Sequence, residues 1–131
     1  MPIELRILGW AVVLGLVHVL VAAGLGTRER GLPWNVGNRD CAAPPLGQHA
    51  ARAERASRNF LETFAFFAAA TLAVVLAHRE SAQTAIGAQI YLWARVAYLP
   101  VYVIGIPYLR TLIWAASLWG ILQMLEALLL H

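Results

Sequence analysis

The chain has no lysine, one cysteine and only 13% charged residues among its 131. A single cysteine, Cys41, excludes an intramolecular disulfide. It reads as a bystander thiol in a loop, and no Cys/His spacing of the zinc type accompanies it. The Asn-x-Ser/Thr sequon is missing too. With lysine absent, the net charge of +3 comes from arginine alone. The aromatic residues sit in apolar runs rather than among those arginines, which excludes a nucleic-acid surface. Scarce charge, 60% hydrophobic residues and a mean hydropathy of +0.65 exclude an ordinary soluble domain.

What is present is a set of long apolar runs, each close to the ~20 residues that cross a bilayer. Four are predicted, at about residues 5–26, 52–78, 84–106 and 110–130. They leave little chain for anything else, so one membrane domain over residues 1–131 is expected, an all-α four-helix bundle. The first run is long for a signal peptide, and its positive charge follows it rather than preceding it. Residues 27–50 form the one long loop, rich in glycine and proline and therefore not a regular helix. Six of the ten arginines lie between residues 28 and 58. The positive-inside rule then places the first and third loops in the cytoplasm and both termini outside it.

Two polar stripes interrupt the apolar pattern. In the second helix, Arg52, Arg55, Asn59 and Glu62 fall on one face, with Arg58 beside them. In the third, Tyr91, Arg95, Tyr98 and Tyr102 recur at intervals of four, three and four. Ionisable residues inside a membrane point to a functional site. The turn at 79–83 gives a depth ruler at ~1.5 Å per residue. It puts Asn59 and Tyr102 level, at roughly 28 and 27 Å, and Glu62 about 7 Å above Arg95. An Arg95–Glu62 ion pair is expected, and Arg110 arrives at the level of Arg55 and Arg58. His18, alone in the first helix, is expected to hydrogen-bond a neighbouring helix. The pattern describes a cavity rimmed by arginines, with Asn59, Glu62 and Tyr102 deeper. Arginine clusters take carboxylates bidentately, and Glu62 could accept an ammonium. A small ligand with two carboxylates and one amine fits.

These residues resemble the MAPEG family, the membrane-associated proteins in eicosanoid and glutathione metabolism. The likeness rests on Gly37-Asn-Arg-Asp with Pro44-Pro-Leu, on Ala51-Arg-Ala-Glu-Arg-Ala-Ser-Arg-Asn-Phe-Leu-Glu62, on Arg95-Val-Ala-Tyr98 with Tyr102, and on Gly105-Ile-Pro-Tyr-Leu-Arg110. The short loop resembles that of bacterial members. The resemblance implies a homotrimer in a bacterial inner membrane, with glutathione as co-substrate bound between protomers near the cytoplasmic face. By similarity, Arg55, Arg58, Asn59 and Glu62 contact glutathione, and Tyr102, Tyr98 and Arg95 belong to the same site. Arg110 resembles the arginine that stabilises the thiolate, which a neighbouring cation favours. A lipophilic second substrate would arrive from the lipid, for conjugation or peroxide reduction.

Two other readings compete. One is a non-catalytic member that holds a lipid or another small anion in the same pocket. The other is a small four-span transporter that uses Glu62 as a proton-coupled cation site, although the surrounding arginines favour an anion. A Glu62→Gln change separates them: a transporter loses proton coupling, whereas a glutathione binder loses affinity.

Overall fold

The computed structural model describes residues 1–38 and 45–130. Arg39, Asp40, Cys41 and Pro44 of the sequence reading lie outside the described residues. Five helices follow one another: α1 (Ile3–Arg30), α2 (Leu32–Val36), α3 (Gln48–Leu76), α4 (Ala82–Ile104) and α5 (Pro107–Leu130). The chain is all-helical, without strands among the described residues.

Helix boundaries follow local chemistry. Gly31, at φ 91°, stops α1, and Pro33 sits near the N-terminus of α2, where proline does no harm. The region 27–50 is therefore more helical than its glycines and prolines predict. Both α1 and α3 run into it, and α2 fits between Gly31 and Gly37. The carboxylate of Glu29 accepts the backbone N–H of Gly47, the residue that caps α3, and so ties α3 to the end of α1. Ser81 and Thr84 form a reciprocal capping box that starts α4. Gly105, left-handed at φ 92°, ends it.

Three helices, α1, α3 and α5, are long and apolar enough to cross a membrane. The third predicted span is present as α4, but α4 is not among the three. Gln83, Gln89, Arg95 and three tyrosines dilute its apolar character. Its neighbours compensate. Tyr91, Arg95 and Tyr98 are buried, so the polar stripe faces protein.

Helix α4 lies most extensively on α5, and α1 lies on α3. Helix α3 also touches α4 and α5, and α1 touches α4; among the described residues α1 and α5 do not meet. Lipid is as apolar as leucine, so close packing rather than hydrophobic burial must hold such helices together. Two devices provide it. Gly87 of α4 faces Gly120 of α5, so close that a Cβ on Gly87 would lie 2.7 Å from the Gly120 carbonyl oxygen. Aromatic stacking fills the centre, with Phe67 4.1 Å from Tyr91 and His18 4.8 Å from Phe60 between ring centroids. Thr63 and Tyr91 share a hydrogen bond of 3.0 Å across α3 and α4. Outward-facing Leu16, Leu20, Phe66 and Trp119 remain exposed, which suits a lipid solvent.

Candidate functional site

The helix directions gather charge at one end. The C-terminus of α1 carries Arg28 and Arg30, and α3 begins there with Arg52, Arg55 and Arg58. Helix α4 ends there and α5 starts there, bringing Tyr102 and Arg110. Each arginine then takes a different partner. Arg52 donates to the carbonyls of Val103 (3.5 Å) and Ile104 (3.2 Å). These are end-of-helix carbonyls without intrahelical partners, so Arg52 caps α4 from a neighbouring helix. With its amide oxygen turned inward, Gln48 accepts from both terminal nitrogens of Arg52, at 2.7 and 2.8 Å. Arg55 Nε donates to the Tyr102 hydroxyl at 3.2 Å. Arg58 is exposed and lies 3.8 Å from the Glu54 carboxylate, a surface pair of little energetic weight.

Between α3, α4 and α5 a cleft of about 350 Å³ opens, lined by Asn59, Tyr98, Tyr102, Arg110, Thr111 and Trp114. That volume falls in the ~300–1,000 Å³ range of small-molecule sites. The guanidinium of Arg110 sits 4.8 Å from the Tyr102 ring centre, a cation–π contact that leaves its N–H donors free of the ring. Tyr98 and Tyr102 lie 5.4 Å apart, one helical turn from each other. The Oδ1 of Asn59 is buried and has no hydrogen-bond partner among the described residues. A buried amide oxygen without a partner costs free energy until a donor reaches it.

Arg95 lies beneath the cleft. Its residue is 0% exposed, and among the described residues none of its three guanidinium nitrogens has a hydrogen-bond partner. It stacks on Tyr98 at 4.1 Å and on Phe60 at 5.5 Å. The expected Arg95–Glu62 pair does not form. Glu62 falls on the exposed side of α3, whereas Arg95 faces Phe60 on the opposite side of that helix. Counting residues fixes depth along a helix, but azimuth decides contact. His18 stacks on Phe60, and among the described residues neither of its ring nitrogens has the hydrogen bond expected of it.

Of the residues predicted for the site, Asn59, Tyr98, Tyr102 and Arg110 line one cleft, and Arg55 joins through Tyr102. Arg58 and Glu62 are exposed and do not line it, and Arg95 is stacked on Tyr98. Thr111 and Trp114, which the sequence pattern did not single out, complete the lining. Trp114 lies four residues after Arg110 and three after Thr111, the spacings of neighbours on a helix surface. The MAPEG family model matches residues 7–130. No curated protein matches the chain.

Proposed function

This chain belongs to the MAPEG family, and we propose that it is a membrane glutathione-dependent transferase or peroxidase acting on lipophilic electrophiles. Family membership together with three apolar helices makes it an integral membrane protein. The observation that carries the functional reading is the cleft at the arginine-rich end, where Arg110 and the unpartnered Asn59 oxygen converge. Glutathione is a tripeptide with two carboxylates, one ammonium and amide N–H groups. Asn59 offers an acceptor for an N–H, and Arg110 offers donors for an anion.

In this reading Arg110 holds the sulfur as thiolate, since a cation beside it favours the charged form. Arg55, Arg58, Asn59 and Glu62 hold the peptide, with Tyr98 and Tyr102 as the cleft wall and Arg95 as the charge beneath. Arg58 and Glu62 are exposed on α3, which suits a site completed by a neighbouring copy in a homotrimer of four-span protomers. The arginine-rich end then faces the cytoplasm of a bacterial inner membrane, with both termini on the other side. For conjugation, the thiolate attacks an electrophilic carbon, a C–S bond forms, and the leaving group departs with its electron pair. For peroxide reduction, the thiolate attacks the terminal oxygen and the O–O bond breaks. The alkoxide takes a proton to become an alcohol. The sulfenic acid left on sulfur condenses with a second glutathione to give the disulfide and water.

Calorimetry with glutathione and the detergent-solubilised protein tests this. Saturable binding is expected, weakened roughly 10- to 100-fold in Arg110→Ala by loss of a charge-assisted hydrogen bond worth ~1.5–3 kcal/mol. Absence of binding at millimolar glutathione sinks the transferase reading and leaves a membrane binder of some other anion. A loss in Arg58→Ala as large as that in Arg110→Ala assigns Arg58 to a site shared between copies.

A further inference from the structure

A second cavity lies apart from the polar cleft. It is a groove of about 530 Å³ between α1 and α4, far from the arginine-rich end. Arg6, Trp10, Val13 and Val17 line it from α1, at helical steps of four, three and four. Gln89 and Trp93 face them from α4, again one turn apart. Every other lining residue is apolar, and Arg6 is the one ionisable group on the wall. We propose that this groove binds one acyl chain of an anionic phospholipid, whose phosphate is held by Arg6.

Three observations carry the assignment. The first is depth. The Thr84 hydroxyl donates to the Glu4 carboxylate, so α1 and α4 start at the same level and run parallel. Arg6 is in the first turns of α1, at the membrane boundary, and Val17 lies about 17 Å further in along the helix axis. One leaflet of hydrocarbon is about 15 Å deep. The groove therefore runs from a cationic mouth through a single leaflet.

The second is charge. Glu4, two residues before Arg6, is 2% exposed and accepts from Thr84, and Arg6 makes no ion pair among the described residues. Arg6 itself is exposed and lies on an open groove wall. Gln89, deeper in, has the donor that a glycerol ester carbonyl accepts.

The third is size. A helix about 10 Å across and ~17 Å long occupies roughly 1,300 Å³. That is more than twice the groove, so a helix of a second copy could lie against the groove but not within it. A single extended chain is thinner and fits. Trp10 (58% exposed) and Trp93 (64% exposed) flank it with flat indole faces, the kind of wall against which a flexible chain packs.

Native mass spectrometry of the full chain released from detergent tests the proposal, with phosphatidylglycerol and phosphatidylcholine of identical acyl chains as probes. The wild type is expected to retain phosphatidylglycerol about five-fold better, the factor expected of one arginine near a headgroup. Arg6→Gln abolishes that preference while weak retention of both lipids persists. Val13→Trp, which fills the groove at an exposed position, reduces both adducts. Equal retention of the two lipids by the wild type overturns the proposal. So does a preference that survives Arg6→Gln, which belongs instead to the arginine-rich end. A Val13→Cys variant in a Cys41→Ser background that cross-links copy to copy through the groove assigns it to a second protomer and also overturns the proposal.

Discussion

Replacing Gly120 by alanine should destabilise this protein, although alanine is the better helix former. A Cβ there would overlap the Gly87 carbonyl oxygen and lie 2.9 Å from the Tyr91 backbone nitrogen. Both obstacles are main chain, so no rotamer change relieves them. Helix α5 must move off α4. Overpacking of this kind costs about 1–3 kcal/mol, and two backbone obstacles place it in the upper half of that range. The gain from glycine to alanine inside a helix is at most ~1 kcal/mol. The net expectation is a loss of about 1–2 kcal/mol. Gly9 is the internal control, because nothing lies within 4 Å of a Cβ placed there. Gly9→Ala should be neutral or stabilising by up to ~1 kcal/mol from helix propensity alone. Unfolding in mixed detergent micelles, titrated with denaturing detergent, gives both values. The same shift also has a functional readout, since α4 carries Tyr98 and Tyr102 while α5 carries Arg110 and Trp114. Ligand affinity should fall in Gly120→Ala and stay unchanged in Gly9→Ala. If both substitutions stabilise alike, the close Gly87–Gly120 approach does not hold α4 against α5 and the reasoning fails.

Arg95→Met should leave stability unchanged or raise it by up to ~2 kcal/mol, because the cost of an unpaired buried charge outweighs its stacking on Tyr98 and Phe60. A loss above ~1 kcal/mol in the same titration would show that Arg95 is paired in the assembled protein. Glu4→Ala should cost about 1.5–3 kcal/mol by removing the acceptor of the Thr84 hydroxyl, and Glu4→Gln should recover most of it. Equal losses in the two variants would rule out the hydrogen bond as the cause. Arg52→Ala and Arg110→Ala should cross over. The first lowers stability by about 1–2 kcal/mol and speeds hydrogen exchange at residues 103–106, while the second mainly lowers ligand affinity. Matching effects of both variants on both measurements would refute that division.

Much of the fold could be read from one-dimensional spacing. Four apolar runs gave the four long helices, and the turn at 79–83 set a ruler that placed Asn59 level with Tyr102, where both line one cleft. Depth follows from counting because the rise per residue is fixed. Contact is a different quantity. Glu62 and Arg95 were near in depth, yet a helix turns 100° per residue and its partner can sit on only one side. Which side is filled depends on Gly15, Gly87 and Gly120, whose missing side chains admit Phe60 and the α4–α5 crossing. Single glycines in apolar runs do not advertise that role. The extra helix in 27–50 was hidden for a local reason. Pro33 looked like a breaker but occupies the first turn of α2, the one place where a helix tolerates it.

The arginines around the cleft differ in what they are already bonded to. A guanidinium has five in-plane N–H donors. Arg52 directs its donors at two helix-end carbonyls, and Arg55 directs one at a tyrosine hydroxyl. Arg58 faces a carboxylate on its own helix. Arg110 meets the face of Tyr102, and a ring face attracts the cation without consuming a donor. It is thereby oriented while its donor edge is kept for an incoming anion. The neighbouring Asn59 oxygen is the complementary vacancy, an acceptor waiting for an N–H. In the proposed reading, the Arg110 guanidinium and the Asn59 oxygen, neither hydrogen-bonded among the described residues, form a pair that favours a ligand bearing both an anion and an amide or ammonium donor. Simple inorganic anions satisfy only half of it.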